Sequence, residues 1–173
     1  ENSDFRPDMV KIYPCSVVRG SLLERLYKKG MYVPYSQEQL FDLLIQMKKI
    51  TPRYVRISRL IRDIPSTDVI AGSNITNLRE YLQKKLREEN FRCQCLRCRE
   101  IAHQMKHFPL QKLSLPVLFI DSYEASGGTE YFLSFEDKDR NAVYAFCRLR
   151  IPSKDSPITK YIPELKDAAL LRE

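Results

Sequence analysis

An α/β unit followed by antiparallel β structure is the fold class that this 173-residue sequence predicts. Three observations carry the expectation. Residues 10 to 62 run strand, helix, strand, the order of a parallel βαβ unit. After about residue 113 the texture changes to aromatic, alternating segments punctuated by turn residues. Between the two, "FRCQCLRCREIAH" (91 to 103) crowds three cysteines and a histidine together.

The elements follow in order. "VKIYPCSVV" (10 to 18) reads as a strand broken at Pro14, whose missing N–H suits a strand end or an edge. "GSLLERLYKKG" (20 to 30) is a short helix between glycines, with Leu22, Leu23 and Leu26 on one face. The clearest helix is "SQEQLFDLLIQMKKI" (36 to 50). Ser36 and Gln39 form its capping box, Leu40, Leu43, Leu44 and Met47 its buried stripe, and Pro52 stops it. "YVRISRLIRDIP" (54 to 65) alternates as a strand, with Val55 and Ile57 opposite Arg56 and Ser58. "TNLREYLQKKLREEN" (76 to 90) is a helix with Leu78, Tyr81, Leu82 and Leu86 apolar and Arg79, Lys84, Lys85 and Arg87 on its other face. "VLFIDSYEA" is a strand, and "TEYFLSFEDKDRNAVYAFCRLRIP" a hairpin with "DKDRN" at its tip. A boundary is expected near residues 109 to 114. There is no internal repeat.

Hydrophobic residues make up 43% and charged residues 29%, the balance of a soluble globular protein with a core. No apolar run approaches the roughly 20 residues of a membrane span, and no basic and apolar leader opens the sequence. A cytoplasmic location is therefore expected. The first residue is Glu1 rather than methionine, which suggests a trimmed chain or a fragment. A net charge of +7 is a prior for a polyanionic partner.

Five cysteines are an odd number, and without a secretory signal a metal site fits them better than a disulfide framework. Zinc takes four thiolate or imidazole ligands in a tetrahedron. Cys93, Cys95, Cys98 and His103 offer such a set in the order C-x-C-x-x-C-x4-H, with His107 or Cys147 as substitutes for His103. Redox chemistry would use the C-x-x-C pair but leaves the third cysteine unexplained. A closed four-ligand site is structural, and its place near the boundary suggests a clasp between two lobes.

Arg53, Arg56, Arg59 and Arg62 recur every third residue, which on a strand sends them to alternating faces. They read either as solvated charges and ion pairs or as phosphate contacts. "GSNITN" (72 to 77) before a helix is a weak anion-cradle signal. GxSxG, Walker and HExxH motifs are all absent from the sequence, so the residues by themselves name no reaction.

"FRPDMVKIYPCSVVRG", "YSQEQL", "YVRISRLIRDIPS", "VIAGSNITNLRE", "CQCLRCREIAH" and "ASGGTEYFLSFED" follow one another in an order that resembles the catalytic subunit of Elongator and its stand-alone archaeal and bacterial counterparts. The resemblance extends from about Arg6 to Glu173. It implies a radical S-adenosylmethionine domain, a partial TIM-like barrel, joined to a GNAT-type acetyltransferase domain. Residues 1–90 would then be the C-terminal part of the barrel, 91–112 a zinc-binding linker, and 113–173 the first strands of the acetyltransferase domain. The activity implied is modification of carbon 5 of the tRNA wobble uridine. A 4Fe-4S cluster cleaves S-adenosylmethionine to a radical in that family, and acetyl-CoA supplies the acetyl group. tRNA is the implied partner, with Elongator subunits beside it if the source is eukaryotic, and no membrane. Arg56, Arg59, Arg62, Arg79, Lys84 and Lys85 become candidate tRNA contacts.

Two departures stand out. The family's cluster motif is absent, "CQCLRC" having the wrong spacing to replace it, and the glycine-rich loop for CoA pyrophosphate is absent too. The expectation is a central fragment, inactive by itself. Many eukaryotic relatives lack the three cysteines, so zinc is implied for the prokaryotic branch. Two rival functions are a zinc-stabilised tRNA-binding or interdomain module without chemistry of its own, and protein lysine acetylation.

Overall fold

The computed structural model describes residues 2–75, 77–105 and 114–173. Its contacts divide the chain into a helical unit, Met9–Pro52 with Ile57–Cys95, and a sheet unit, Glu1–Asp8 with Arg53–Arg56 and Leu96–Glu173. The division falls between Cys95 and Leu96, earlier than the boundary expected near 109 to 114, and the first eight residues go with the sheet unit. Residues 106–113, where that boundary was expected, lie outside the described residues.

The helical unit holds β1 (Met9–Lys11), β2 (Val17–Val18), α1 (Leu22–Lys28), α2 (Gln37–Ile50), β3 (Arg56–Arg59, all but its first residue), β4 (Val69–Ala71) and α3 (Leu78–Glu88). β1 pairs with β3. The bonds Arg56 N–H to Asp8 O and Ile12 N–H to Arg59 O advance the same way along both strands, so the pair is parallel, with α1 and α2 in the connection as the βαβ reading expects. β2 pairs antiparallel with β4, a strand too short for its sequence to announce. Gly72 ends β4 at φ +97°, where a Cβ would come within 3.1 Å of Ser16 Cα, so only glycine fits.

The capping box forms: Ser36 Oγ accepts from Gln39 N–H at 3.2 Å and Gln39 Oε1 accepts from Ser36 N–H at 3.0 Å. The buried face of α2 is Leu40, Phe41, Leu44, Ile45 and Lys48. Leu43 is exposed instead of buried, because at 100° per residue it lies on the shoulder of a face centred on Leu44. Leu22 is likewise exposed, on the first turn of α1. Leu78, Leu82 and Leu86 of α3 are buried as expected, and Tyr81 packs on Phe41 with ring centroids 4.4 Å apart. Among the described residues the strand expected over 54 to 65 shrinks to β3.

The sheet unit contains α4 (Leu96–Arg99), α5 (Ile101–Gln104), β5 (Val117–Glu124), β6 (Gly128–Glu136), β7 (Val143–Pro152), α6 (Pro157–Tyr161) and β8 (Leu170–Arg172). The strands form one antiparallel sheet in the order β5-β6-β7-β8. "DKDRN" is the hairpin tip, closed by the Asp137 N–H bond to Ala142 O at 3.0 Å. Strict alternation along β6 buries Glu130, Phe132, Ser134 and Glu136, so the inward face is largely polar. No helix among the described residues is long and apolar enough to cross a membrane.

Candidate metal centre

Just beyond α3, Asn90 takes a φ of +56°, the left-handed conformation that closes a helix, and Phe91 N–H returns to Leu86 O at 2.8 Å. The chain then passes through Cys93 and Cys95 before α4 carries Cys98. All three are buried, Cys95 completely. Their sulfurs lie within 4.8 Å of one another. None is in a disulfide. Cys93 Sγ lies 3.9 Å from Lys48 O, and the Gln104 amide donates to Cys98 O at 2.6 Å, so backbone around the thiols is pinned. Three converging, buried soft donors can hold a metal ion.

His103 is not in this group. Its Nε2 lies 3.7 Å from the Glu100 carboxylate, which also accepts from Arg97 at 3.0 Å and from Arg56. Arg97, Glu100 and His103 come together where α4 gives way to α5, and the Glu100 carboxylate competes with metal for the imidazole. Cys147 sits on β7, half-buried and outside the group. His107 lies outside the described residues.

The candidate tRNA contacts divide. Arg56 is engaged with Glu100, and Arg79 donates to Ile57 O at 2.7 Å and Ser58 O at 3.3 Å, capping the end of β3. Arg59 pairs with Asp63 at 2.7 Å with both side chains largely in solvent, a weak tie. The Arg62 guanidinium lies over the Tyr13 ring, 5.4 Å from its centroid. Lys84 is exposed, and Lys85 pairs loosely with Glu88 at 3.4 Å.

In the sheet unit, sequence reading missed a buried ionic cluster. Glu136, fully buried, accepts from Arg99 at 2.6 Å, Arg140 at 3.1 Å and Ser134 at 2.7 Å. Burial pushes its carboxyl up, but the hydrogen bonds from Arg140 and Arg99 outweigh that and hold it below its ordinary value. Arg148, also buried, donates to Glu173 at 2.7 Å, Asp8 at 3.1 Å and Tyr54 O at 2.7 Å.

Residues 7–88 match the family model of the radical SAM C-terminal domain. A tRNA uridine(34) acetyltransferase of Methanocaldococcus jannaschii is 44% identical over 165 residues, 95% of this chain. This chain is similar to that acetyltransferase over nearly its whole length. Elongator complex protein 3 of Dictyostelium discoideum is 37% identical over the whole chain. The solved structure of the archaeal Methanocaldococcus infernus Elp3 with an N-terminal deletion superimposes with a TM-score of 0.78 at 44% identity, over 87% of this chain and 36% of that one. The chain spans only 30% of the length of both the M. jannaschii and the D. discoideum relatives. The radical SAM C-terminal match covers most of the helical unit and stops five residues short of Cys93.

Proposed function

We propose that the chain is part of a tRNA-modifying enzyme that acts on carbon 5 of the wobble uridine, using acetyl-CoA and radical S-adenosylmethionine chemistry. The observation that carries this reading is 44% identity to a tRNA uridine(34) acetyltransferase over 95% of the chain. The helical unit would supply the late βα units of a radical SAM barrel, and the four-stranded sheet the first strands of a GNAT-type domain. A 4Fe-4S cluster with S-adenosylmethionine would supply the radical in the intact parent, and acetyl-CoA the two-carbon unit. To test this, the parent is incubated with tRNA, S-adenosylmethionine and labelled acetyl-CoA. Label should enter nucleotide 34; label confined to protein lysines would overturn the reading in favour of protein acetylation.

Within this chain, the cysteine group fits zinc. Zinc–sulfur bonds of about 2.3 Å in a tetrahedron put thiolates about 3.8 Å apart, within the observed limit of 4.8 Å. A 4Fe-4S cluster is several ångströms across and spreads its thiolates further. Cys93, Cys95 and Cys98 would hold the ion, with His103 as fourth ligand after it releases Glu100. The tight, buried thiols also favour a second reading, in which these 173 residues stabilise and bind without chemistry of their own.

The basic surface would contact tRNA phosphates through Arg59, Arg62, Lys84 and Lys85, while Arg56 and Arg79 brace the strand end. Replacing Lys84 and Lys85 with alanine should weaken all tRNAs alike and flatten the salt slope by about one unit per lost contact. Unchanged affinity and slope in a filter-binding titration would return both lysines to the solvated face of α3.

A further inference from the structure

In the helical unit, the segment Ser58–Ile64 lines two recesses. The larger, about 510 Å³, is lined by Ser58, Arg59, Asn77 and Arg79 together with two carboxylates, Asp63 and Glu80. The smaller, about 90 Å³, is lined by Ser16, Arg62 and Ser73 among others. Ile61 and Asp63 line both. Each recess holds one serine whose hydroxyl is buried without a hydrogen-bond partner among the described residues: Ser58 in the first, Ser73 in the second. Buried hydroxyls are normally paired, so two orphans, one in each of two adjoining recesses, point to groups that enter from outside.

Each recess also presents an exchangeable cation. Among the described residues Arg59 is tied only to Asp63, in an exposed pair that costs little to open. Arg62 uses its face on the Tyr13 ring, which leaves its N–H donors for an anion. The shared Asp63 carboxylate decides the ligand class. It repels a free anion but accepts a hydrogen bond from a sugar hydroxyl, the group that distinguishes RNA from DNA.

We infer that these recesses take neighbouring nucleotides of a single-stranded RNA. Arg59 and Arg62 hold the phosphates, and Ser58, Ser73 and Asp63 meet the polar groups of the sugars and bases. The inference rests on the tRNA-substrate reading above and assigns it a location. The probes are intact tRNA, a short single-stranded RNA with an anticodon-loop sequence, the same sequence as DNA, and inorganic phosphate as competitor. The RNA should bind more tightly than the DNA. Ser58→Ala and Ser73→Ala should each weaken the RNA about three- to tenfold, as loss of one hydrogen bond does, and narrow its preference over DNA, with thermal stability at or above that of the unsubstituted chain. Arg59→Ala and Arg62→Ala, both at exposed positions, should each reduce the logarithmic salt slope by about 0.7. tRNA binding with all four variants unchanged would overturn the inference alone, as would full displacement of the RNA by inorganic phosphate. Failure of the unsubstituted chain to bind any tRNA would instead overturn the substrate reading.

Discussion

Chelation is expected to lower the thermal stability of this chain sharply, and Cys95→Ser to do the same without chelator. Cys95 is completely buried, and its sulfur lies within 4.8 Å of those of Cys93 and Cys98. A structural zinc ion contributes about 10 kcal/mol or more to the fold that encloses it, because the unfolded chain offers no preformed site. Placing a serine hydroxyl where a buried thiol stood costs only about 1–3 kcal/mol in itself. The two causes are separated by combining them. Chelator should bring the unsubstituted chain down to, or by that serine cost slightly above, the melting point of Cys95→Ser and leave that variant unmoved. A chelator-insensitive melt of the unsubstituted chain would show that the thiols are only packed together.

The second large effect lies in the sheet unit. Arg99→Ala should destabilise the protein by about 3–5 kcal/mol, because it strips a charge partner from the fully buried Glu136. The pair also carries a pH signature. The carboxyl of Glu136 is lower in the folded protein than its ordinary value of 4.5. A lowered folded value means that the unfolded chain takes up the proton first as pH falls. The stabilisation is therefore fully present above about pH 4.5 and lost as pH drops through the folded value. Denaturant titrations at pH 7 and in the acid range should show a steeper loss for the unsubstituted protein than for Glu136→Gln. Equal slopes would mean that Glu136 is already protonated when buried.

What the sequence made legible is what local physics decides. The Ser36 and Gln39 capping box needs only four consecutive residues, and the hairpin tip "DKDRN" only its own turn. The cysteines fall within six consecutive positions, so one local turn of chain is enough to bring their sulfurs together. Faces were harder. β6 alternates as expected, but its buried side carries Glu130, Ser134 and Glu136; Arg150 and Arg172 pair with Glu130, and Arg99, Arg140 and Ser134 donate to Glu136. Glu136 and Arg99 are 37 residues apart, Arg148 and Asp8 140 apart, and no periodicity links such positions. The same blindness affected Arg56, which read equally as an ion pair or a phosphate contact; its partner Glu100, 44 residues on, is not visible from the spacing. β4 and β8, three residues each, carry too few alternations to be seen.

Metal content tests the thiolate centre most directly. Elemental analysis of the purified chain should find about one zinc per molecule. Each of Cys93→Ser, Cys95→Ser and Cys98→Ser should lose it, while Cys147→Ser retains it. A preparation free of metal that folds and melts like the zinc-loaded one would contradict the assignment.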